Sequence, residues 1–450
     1  MLYAGFYEKE ITPPMGGTMP GALLEHKVET IESRLYVKAA CFESGNKRAL
    51  VIMLDLLGLN RAIHDPVVKR IHEMTGINNE EIMITATHTH YGPPIAGDSE
   101  FNIFDEKQFD VMVRLIADCG VMAYRKMEPV TVKFAETQIE GLTFCRNIKM
   151  KDGRVRTNPV TPVSEMEGPF GKVDETLAML YFINKEGEPI GSFMNFACHN
   201  CCVKLGGLSS DYSGWAAKEL KKAFGLEFVT LFINGFCGNL NHIDFSRDNA
   251  LIYANRGNDK TPRYRQMGEI LADKAVKMFN TAKEIDADKI VCRKEVVILK
   301  KRPIPKELVE QADELYKTIP LEGLLEKVSI SDTNSKYYLR TMSRGILKCD
   351  AIPDEVENYV QVIRMGEFLM YALPHEMYAE YGLRIREESP AKYIMLAERS
   401  NEPDCRCYVP TKEAFGTDIY EADILSAHFE PDSGDILTDK ALEIAKEIMK

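Results

Sequence analysis

The stretch Ile82-Met83-Ile84-Thr85-Ala86-Thr87-His88-Thr89-His90-Tyr91-Gly92-Pro93-Pro94 decides how the rest of this chain is read. A short apolar, β-branched run followed by Gly92 and Pro93 predicts a buried strand that ends at a cleft. Side chains two apart in a strand share a face, so we expect His88 and His90 to point into one pocket. By themselves, two converging imidazoles fit a metal site or a polar core cluster equally well.

Composition narrows the class of protein. The chain has 450 residues, 45% of them apolar and 28% charged, which is typical of a globular enzyme with two domains or one large one. Its net charge of -12 argues against nucleic acid or an anionic membrane surface as the main partner. The first residues do not resemble a signal peptide, and no apolar run reaches the length of a membrane span. We therefore expect a cytoplasmic protein whose eleven cysteines are reduced.

Strand and helix patterns alternate along the chain, and hairpins recur. Strands are predicted at 5–11, 35–42, 49–54, from 82 through the two histidines at 88 and 90, and at 130–134, 176–182, 189–198, 228–233, 290–299, 359–364, 368–373 and 392–397. Helices are predicted at 63–74, 104–123, 214–224 and 377–387, and charged surface helices at about 260–340. The pattern predicts an α/β fold (mixed α+β), with a large mixed β-sheet core flanked by helices and an active site at the C-terminal ends of the strands.

Several of these strands end in residues that bind metals or donate hydrogen bonds. They lead to His88 and His90, to His199, to the turn 239–242 and to Glu376. Two histidines from different strands and one carboxylate make a three-ligand catalytic zinc set. Asp55 also ends a strand, where it fits a site carboxylate or a helix or turn cap equally well.

These residues are similar to those of a known family. The chain resembles the N-terminal catalytic domain of the neutral/alkaline (non-lysosomal) ceramidases. The motifs are Ile11-Thr12-Pro13-Pro14, Ala86-Thr87-His88-Thr89-His90-Tyr91-Gly92-Pro93, Asn195-Phe196-Ala197-Cys198-His199, Asn234-Gly235 through Gly238-Asn239, Leu373-Pro374-His375-Glu376, and the pair Tyr408 and Tyr420-Glu421. The match extends over nearly the whole chain, so we expect residues 1–450 to form a single domain without the C-terminal immunoglobulin-like domain of those enzymes.

The resemblance implies a set of roles for particular residues. Zn²⁺ would be bound by His88, His199, Glu376 and Tyr408. The catalytic contacts to the substrate would come from His90, Arg146 and Tyr420, and further substrate contacts from Asn239, Asn241 and His242. The implied reaction is hydrolysis of an N-acyl amide, ceramide-like or smaller and more polar, by attack of metal-bound water.

One position departs from the family pattern and keeps other functions open. Asn241 stands where true ceramidases have a serine, so a ceramide head-group contact does not follow from the resemblance. The alternatives are a metal-dependent hydrolase or lyase acting on an ester, a lactone or another bond of a small metabolite, and a non-catalytic binding protein on the same fold. A barrel-type amidohydrolase also carries an HxH motif, but there the motif follows the first strand, whereas several strands precede His88 here.

Overall fold

The structure is a computed structural model that describes residues 1–21, 26–97, 102–203, 206–254, 261–320 and 335–450. The helices in these ranges are α1 (Arg61–Thr75), α2 (Glu106–Arg125), α3 (Asp211–Phe224), α4 (Ala250–Tyr253), α5 (Arg263–Phe279), α6 (Lys306–Thr318), α7 (Lys336–Asp350), α8 (Ala379–Glu388) and α9 (Ser433–Met449). Across these ranges, no helix combines the length and the apolar character needed to cross a bilayer.

The larger of two main sheets has nine strands among the described residues. They are β1 (Leu2–Glu10), β2 (Tyr36–Ser44), β3 (Lys47–Leu54), β4 (Ile82–Ala86), β5 (Glu128–Gln138), β6 (Thr176–Asn184), β7 (Pro189–Phe196), β8 (Val229–Asn234) and β9 (Lys283–Ile285). Their order is β8-β7-β6-β5-β1-β2-β3-β4, and β9 also pairs with β5. The outer pairs β7–β8 and β3–β4 are parallel, whereas the remaining pairs are antiparallel. The predicted mixed sheet is confirmed.

A second sheet of four strands packs against the first. It is formed by β10 (Ile290–Lys300), β11 (Glu355–Met365), β12 (Phe368–Ala372) and β13 (Tyr393–Ala397), in that order. The pair β12–β13 is parallel and the other two are antiparallel. All four strands were predicted within a few residues of their bounds, but the sequence pattern did not separate them into a sheet of their own.

Each main sheet has apolar residues on both of its faces. The chain therefore forms four layers: helices, the first sheet, the second sheet and helices. In β2 and β3 the alternating set Ala40, Phe42, Val51 and Met53 faces the second sheet, where it meets Met370 and Met395. The opposite set, including Val37, Ala39, Leu50 and Ile52, packs under α1, α2, α3 and α5. The outer face of the second sheet, with Val362, Leu369 and Leu396, is covered by α8 and α9. Burial of both faces explains why these strands read as almost continuously apolar.

The predicted helices are confirmed, and their ends follow local chemistry. Helix α1 begins at Asn60, whose side chain accepts a hydrogen bond from the Ile63 N–H, and it ends at Gly76 in a left-handed conformation. The charged region 260–340 contains α5, α6, the start of α7 and one long strand as predicted, although α5 buries one face and is not a purely solvated helix. Residues 321–334 of that region lie outside the described residues. Helix α9 was not predicted.

Short ribbons and 3₁₀ turns connect the layers, and two of the ribbons build the site. The two-stranded ribbons pair Thr18–Met19 with His26–Lys27, Thr30–Ile31 with Gly207–Leu208, Phe144–Cys145 with Leu240–Asn241, and Glu376–Met377 with Tyr408–Val409. Three further strands, Asn147–Met150, Val155–Thr157 and Met166–Pro169, form one small sheet. The 3₁₀ turns are Asn79–Glu81, Val163–Glu165, Lys412–Ala414 and Tyr420–Ala422.

Candidate metal centre

The candidate site lies where strand ends of the two main sheets meet. The sheets are joined there by an antiparallel bridge between Thr85 and Ser400 and by a hydrogen bond from the Glu398 N–H to the Asn234 carbonyl. A cleft of about 1190 Å³ opens over this junction. Six of the ten site residues predicted from the sequence line it, namely His88, His90, Arg146, Glu376, Tyr408 and Tyr420.

His88 and His90 do point into one pocket, but not for the predicted reason. Strand β4 ends at Ala86, so neither histidine lies in a strand, and His88 has a left-handed backbone with φ of 63°. The segment is instead fixed by hydrogen bonds from its backbone to Leu54 and Asn200. The two Nε2 atoms lie 3.3 Å apart. The strand alternation argument was therefore wrong, and a turn brings the imidazoles together.

Three histidines are oriented in the same way by backbone carbonyls. The Nδ1 atom of His88 lies 2.7 Å from the Leu57 carbonyl oxygen, and that of His90 lies 2.6 Å from the Gly21 carbonyl oxygen. His199, which follows β7, places Nδ1 at 2.9 and 2.8 Å from the carbonyl oxygens of Cys237 and Leu240. A carbonyl only accepts, so each Nδ1 carries a proton and each ring turns its Nε2 towards the site.

Glu376 brings a carboxylate to the same point. Its Oε2 atom lies 3.3 Å from Nε2 of His88 and 3.3 Å from Nε2 of His199. Burial favours the neutral acid, but the nearby imidazoles and Arg399 outweigh burial and hold the pKa of Glu376 well below its ordinary value. Burial, followed by the charge of Arg146, lowers the pKa of His199 to about 4. Glu376 is therefore an ionised carboxylate beside a neutral His199.

This arrangement fits a metal cation. Three imidazole Nε2 atoms cluster, Glu376 Oε2 lies 3.3 Å from two of them, and among the described residues this buried oxygen has no hydrogen-bond donor. An Nη of Arg146 and the Tyr408 hydroxyl lie 3.4 and 3.5 Å from His199 Nε2. A buried carboxylate oxygen without a donor is costly, whereas a cation shared between that oxygen and the imidazoles would satisfy it. His88, His90 and His199 thus form a cluster that could hold a metal ion.

Tyr408 is brought to Glu376 by a parallel ribbon. Glu376 and Tyr408 are direct register partners in the ladder of Glu376–Met377 with Tyr408–Val409. The Tyr408 ring stacks along His199, with an angle of 15° between the ring planes. Burial raises the pKa of the phenol well above its ordinary value, so without a cation the hydroxyl stays protonated. No sequence spacing indicated this pairing, because the two residues are 32 positions apart.

Arg146 reaches the site from the other side and stays charged. Its Nε donates to Oε1 of Glu421 at 2.5 Å, and one Nη donates to the Gly238 carbonyl oxygen at 2.8 Å. Burial favours the neutral form, but Glu421 and Tyr408 outweigh it and raise the pKa of Arg146 well above its ordinary value. The guanidinium also lies 5.3 Å from the centre of the Tyr408 ring. This ion pair is buried, since the side chains of Arg146 and Glu421 are 8% and 0% exposed.

Tyr420 lies at the rim of the cleft and is 55% exposed. Its ring packs edge-on against Tyr408, with centroids 5.6 Å apart. The structure therefore places Tyr420 where a molecule entering the cleft would touch it.

The three residues predicted to bind substrate do not line the cleft. Asn239 is fully buried and holds the start of α8, because its Oδ1 accepts from the Ala379 N–H at 2.9 Å and its Nδ2 donates to Glu380 at 3.0 Å. Asn241 donates to Asn158 Oδ1 at 2.9 Å and accepts from the Ile243 N–H. His242 is buried beside Cys201. Asn241 is linked to the cleft wall through Asn158, which lines it.

Gly238, in the turn after β8, allows a close approach of backbone to another part of the protein. A Cβ added at Gly238 would lie 2.5 Å from the Glu376 carbonyl oxygen. Asp55 is likewise structural, since it accepts from the Tyr36 N–H at 2.9 Å and does not line the cleft. Burial raises its pKa to about 6.

Sequence reasoning missed two buried charged residues beside the site. Arg399 is 2% exposed and lies 3.4 Å from Glu376, and Glu402 is fully buried against Arg399 at 2.9 Å. The signal was the polar run Arg399-Ser400-Asn401-Glu402, which begins two residues after the end of the apolar strand β13.

Comparison with known proteins places this geometry in a family. The model of the N-terminal region of the neutral/alkaline non-lysosomal ceramidases matches residues 4–293. The chain belongs to this family. Its ceramidase relatives include neutral ceramidase of Pseudomonas aeruginosa, 24% identical over 241 residues, and neutral ceramidase of Oryza sativa subsp. japonica, 25% identical over 206 residues. These alignments cover 50% and 42% of this chain but only 34% and 24% of the relatives.

The fold agrees with solved ceramidase structures. The neutral ceramidase structure from Pseudomonas aeruginosa superposes with a TM-score of 0.72 at 19% identity, covering 99% of this chain and 75% of that one. A ceramidase complexed with C2 superposes with the same score. Glu376 and Tyr408 lie beyond the region that the family model matches, so the structural match extends the ceramidase fold over them.

Proposed function

We propose that this protein is a zinc-dependent hydrolase of N-acyl amides. One observation carries the proposal: the Nε2 atoms of His88, His90 and His199 cluster beside a large cleft, and Glu376 Oε2, which has no donor among the described residues, lies 3.3 Å from two of them. Membership of the ceramidase family supports the amide as the bond cleaved. The site's position at the ends of strands from two sheets also agrees with an enzyme centre.

The spacing of these atoms supports zinc. Ligand atoms about 2.05 Å from a tetrahedral zinc lie about 3.4 Å from one another. The observed separations are 3.3 Å between Glu376 Oε2 and each of the Nε2 atoms of His88 and His199, and 3.5 Å between His199 Nε2 and the Tyr408 hydroxyl. His90 Nε2 lies equally close to His88 Nε2, at 3.3 Å, so the spacing alone does not choose between His90 and Tyr408. On the family resemblance we propose His88, His199, Glu376 and Tyr408 as the residues that hold the metal, and His90 as the neighbour that contacts the substrate.

A bound zinc ion would act as a Lewis acid on the amide carbonyl and lower the pKa of water. The chain's own residues supply the other requirements. Arg146 offers a fixed positive charge for the oxygen that becomes negative as the amide is attacked. The Nε2 atom of His90 is oriented into the pocket by the Gly21 carbonyl, where it can accept or return a proton. Tyr420 at the rim would donate a hydrogen bond to the acyl or amine part of the substrate.

The cleft supports an amide of substantial size. Its volume of about 1190 Å³ exceeds what a short acyl group fills, and its walls mix apolar residues such as Leu57, Ile352 and Val356 with charged ones such as Asp404. A ceramidase complexed with C2 shares the fold, which favours a lipid amide as substrate. Asn241 at the serine position, linked to the cleft wall through Asn158, favours a smaller or more polar amide as the second candidate.

The test combines metal analysis with a substrate series. Wild type should bind one zinc per chain and hydrolyse N-acyl amides, with rates measured across graded acyl lengths from two carbons upward. His88→Ala should lose both properties. His64→Ala is the matched control, because His64 is a buried histidine on α1 outside the cleft. Zinc-free wild type, or equal hydrolysis by His88→Ala, would refute the proposal, and preference for esters over amides would favour an esterase.

A further inference from the structure

We propose that Arg399 is a positioning residue that holds both sides of the metal centre in register, an inference that rests on the proposed metal-dependent function. Its guanidinium is 2% exposed and extends between two segments. One Nη lies 3.4 Å from Oε1 of Glu376, and the other donates to the Leu57 carbonyl oxygen at 3.1 Å. That same carbonyl accepts from Nδ1 of His88. One side chain therefore contacts a proposed ligand and the acceptor that orients another.

The backbone of Arg399 joins the same two segments. Its N–H donates to the carbonyl of His375, the residue before Glu376, at 3.2 Å. Its carbonyl accepts from the N–H of Ala86, two residues before His88, at 3.3 Å. The residue adopts a left-handed conformation with φ of 52°, which costs free energy for a residue with a Cβ. Main chain and side chain thus act together on the loops that carry Glu376 and His88.

Charge balance leaves Glu376 available to a cation. Glu402 lies 2.9 Å from the Arg399 guanidinium, is fully buried, and also accepts from the Leu59 N–H at 3.1 Å. Because the Glu402 carboxylate neutralises the charge of Arg399, Arg399 does not cancel the negative charge of Glu376. The guanidinium holds Oε1 of Glu376, and Oε2 is left facing the histidines. The Glu376 carboxylate is therefore oriented so that Oε2 is the oxygen available to a metal ion.

Gly58 shows how tightly this guanidinium is packed. A Cβ added at Gly58 would lie 2.1 Å from an Nη of Arg399 and 2.8 Å from Oε2 of Glu402. Any side chain there must displace the guanidinium. Gly58→Ala thus moves Arg399 without removing a charge, which makes it an independent second variant.

The experiment measures zinc affinity directly by competition with a chromogenic chelator, for wild type, Arg399→Lys and Gly58→Ala. Lysine keeps the charge but cannot contact both partners as the guanidinium does. We expect zinc binding about 10–100-fold weaker in both variants, because partners that orient metal ligands typically contribute that much. The control is Arg386→Lys, which alters another mostly buried arginine–carboxylate pair, with Asp174 at 2.8 Å, away from the cleft. Its zinc affinity should equal that of wild type.

Unfolding of metal-free and zinc-loaded protein separates positioning from general stability. A merely structural Arg399 would lower both midpoints equally and leave the zinc affinity unchanged, and that result would overturn the inference. A selective loss of the zinc-dependent increase supports it. If Arg399→Lys does not fold, the affinity of Gly58→Ala decides. Wild type that binds no zinc overturns the proposed function and this inference together, whereas zinc binding without amide hydrolysis overturns only the amidase and leaves the affinity test decisive.

Discussion

Glu421→Gln should destabilise the protein because it leaves Arg146 as a buried cation without a counter-ion. The two side chains are 8% and 0% exposed and their closest atoms are 2.5 Å apart. Glu421 also accepts from Thr157 at 2.7 Å. Removing one partner of a buried ion pair typically costs about 3–5 kcal/mol. The remaining hydrogen bond from Arg146 to the Gly238 carbonyl softens this cost, so we expect a loss near the lower bound, about 3 kcal/mol.

That loss converts into a small shift of the melting temperature for a chain of this size. An unfolding entropy of about 2.1 cal/mol/K per residue gives about 0.9 kcal/mol/K for 450 residues. A loss of 3 kcal/mol therefore lowers the midpoint by about 3 °C. Hydrolysis should fall as well, because an unanchored guanidinium no longer stabilises the developing oxyanion.

Urea denaturation followed by circular dichroism measures the free energy, and calorimetry measures the midpoint. Asp273→Asn is the control, since Asp273 and Lys277 form an exposed pair 2.6 Å apart that should contribute almost nothing. If Glu421→Gln loses no more stability than Asp273→Asn, the buried pair is not energetically important. The inference that Glu421 holds Arg146 in place would then be wrong.

Three further outcomes follow from the site. Removing zinc with a chelator should lower the melting midpoint by about 4 °C when free zinc was 1,000 times its Kd, since binding then stabilises by about 4 kcal/mol, and added zinc should restore it. Tyr408→Phe should weaken zinc binding more than His90→Ala does, and the reverse order in a chelator competition would move His90 into the ligand set. Burial lowers the pKa of His64 to about 4 and that of His375 to about 3, so their neutral forms stabilise the fold above the unfolded pKa of about 6.5. The urea midpoint of metal-free protein should therefore fall as pH drops from about 6.5 towards 4, and a flat profile would contradict these shifts.

The strands and helices could be predicted from the sequence wherever burial imposes a regular pattern of apolar residues. Strands such as β3 and β6, and helix α1 with its Asn60 and Gly76 ends, carry local signals that need no partner. The division of the strands into two stacked sheets could not be predicted, because a strand buried on both faces has the same apolar sequence pattern in either sheet. Pairing between distant segments depends on contacts that periodicity does not contain.

The site shows the same division between local and distant information. His88, His199 and Glu376 could be proposed because each follows an apolar strand. Tyr408 came only from family resemblance. Arg399 was missed because its role depends on Leu57 and Glu402, neither of which a local pattern connects to it. The cytoplasmic location and the single-domain organisation stay predictions.

The position of the site at the junction of two sheets has a consequence for how the chain is held together. His88 and His199 follow strands of the first sheet. Glu376 follows a strand of the second sheet, and Tyr408 pairs with Glu376 in a short parallel ribbon. An ion held by all four would cross-link segments 320 positions apart in sequence, from residue 88 to residue 408. Closing so long a loop removes much conformational freedom from the unfolded chain. The metal centre would then also cross-link the two main sheets. Loss of the ion should let the sheets separate from each other before either sheet unfolds.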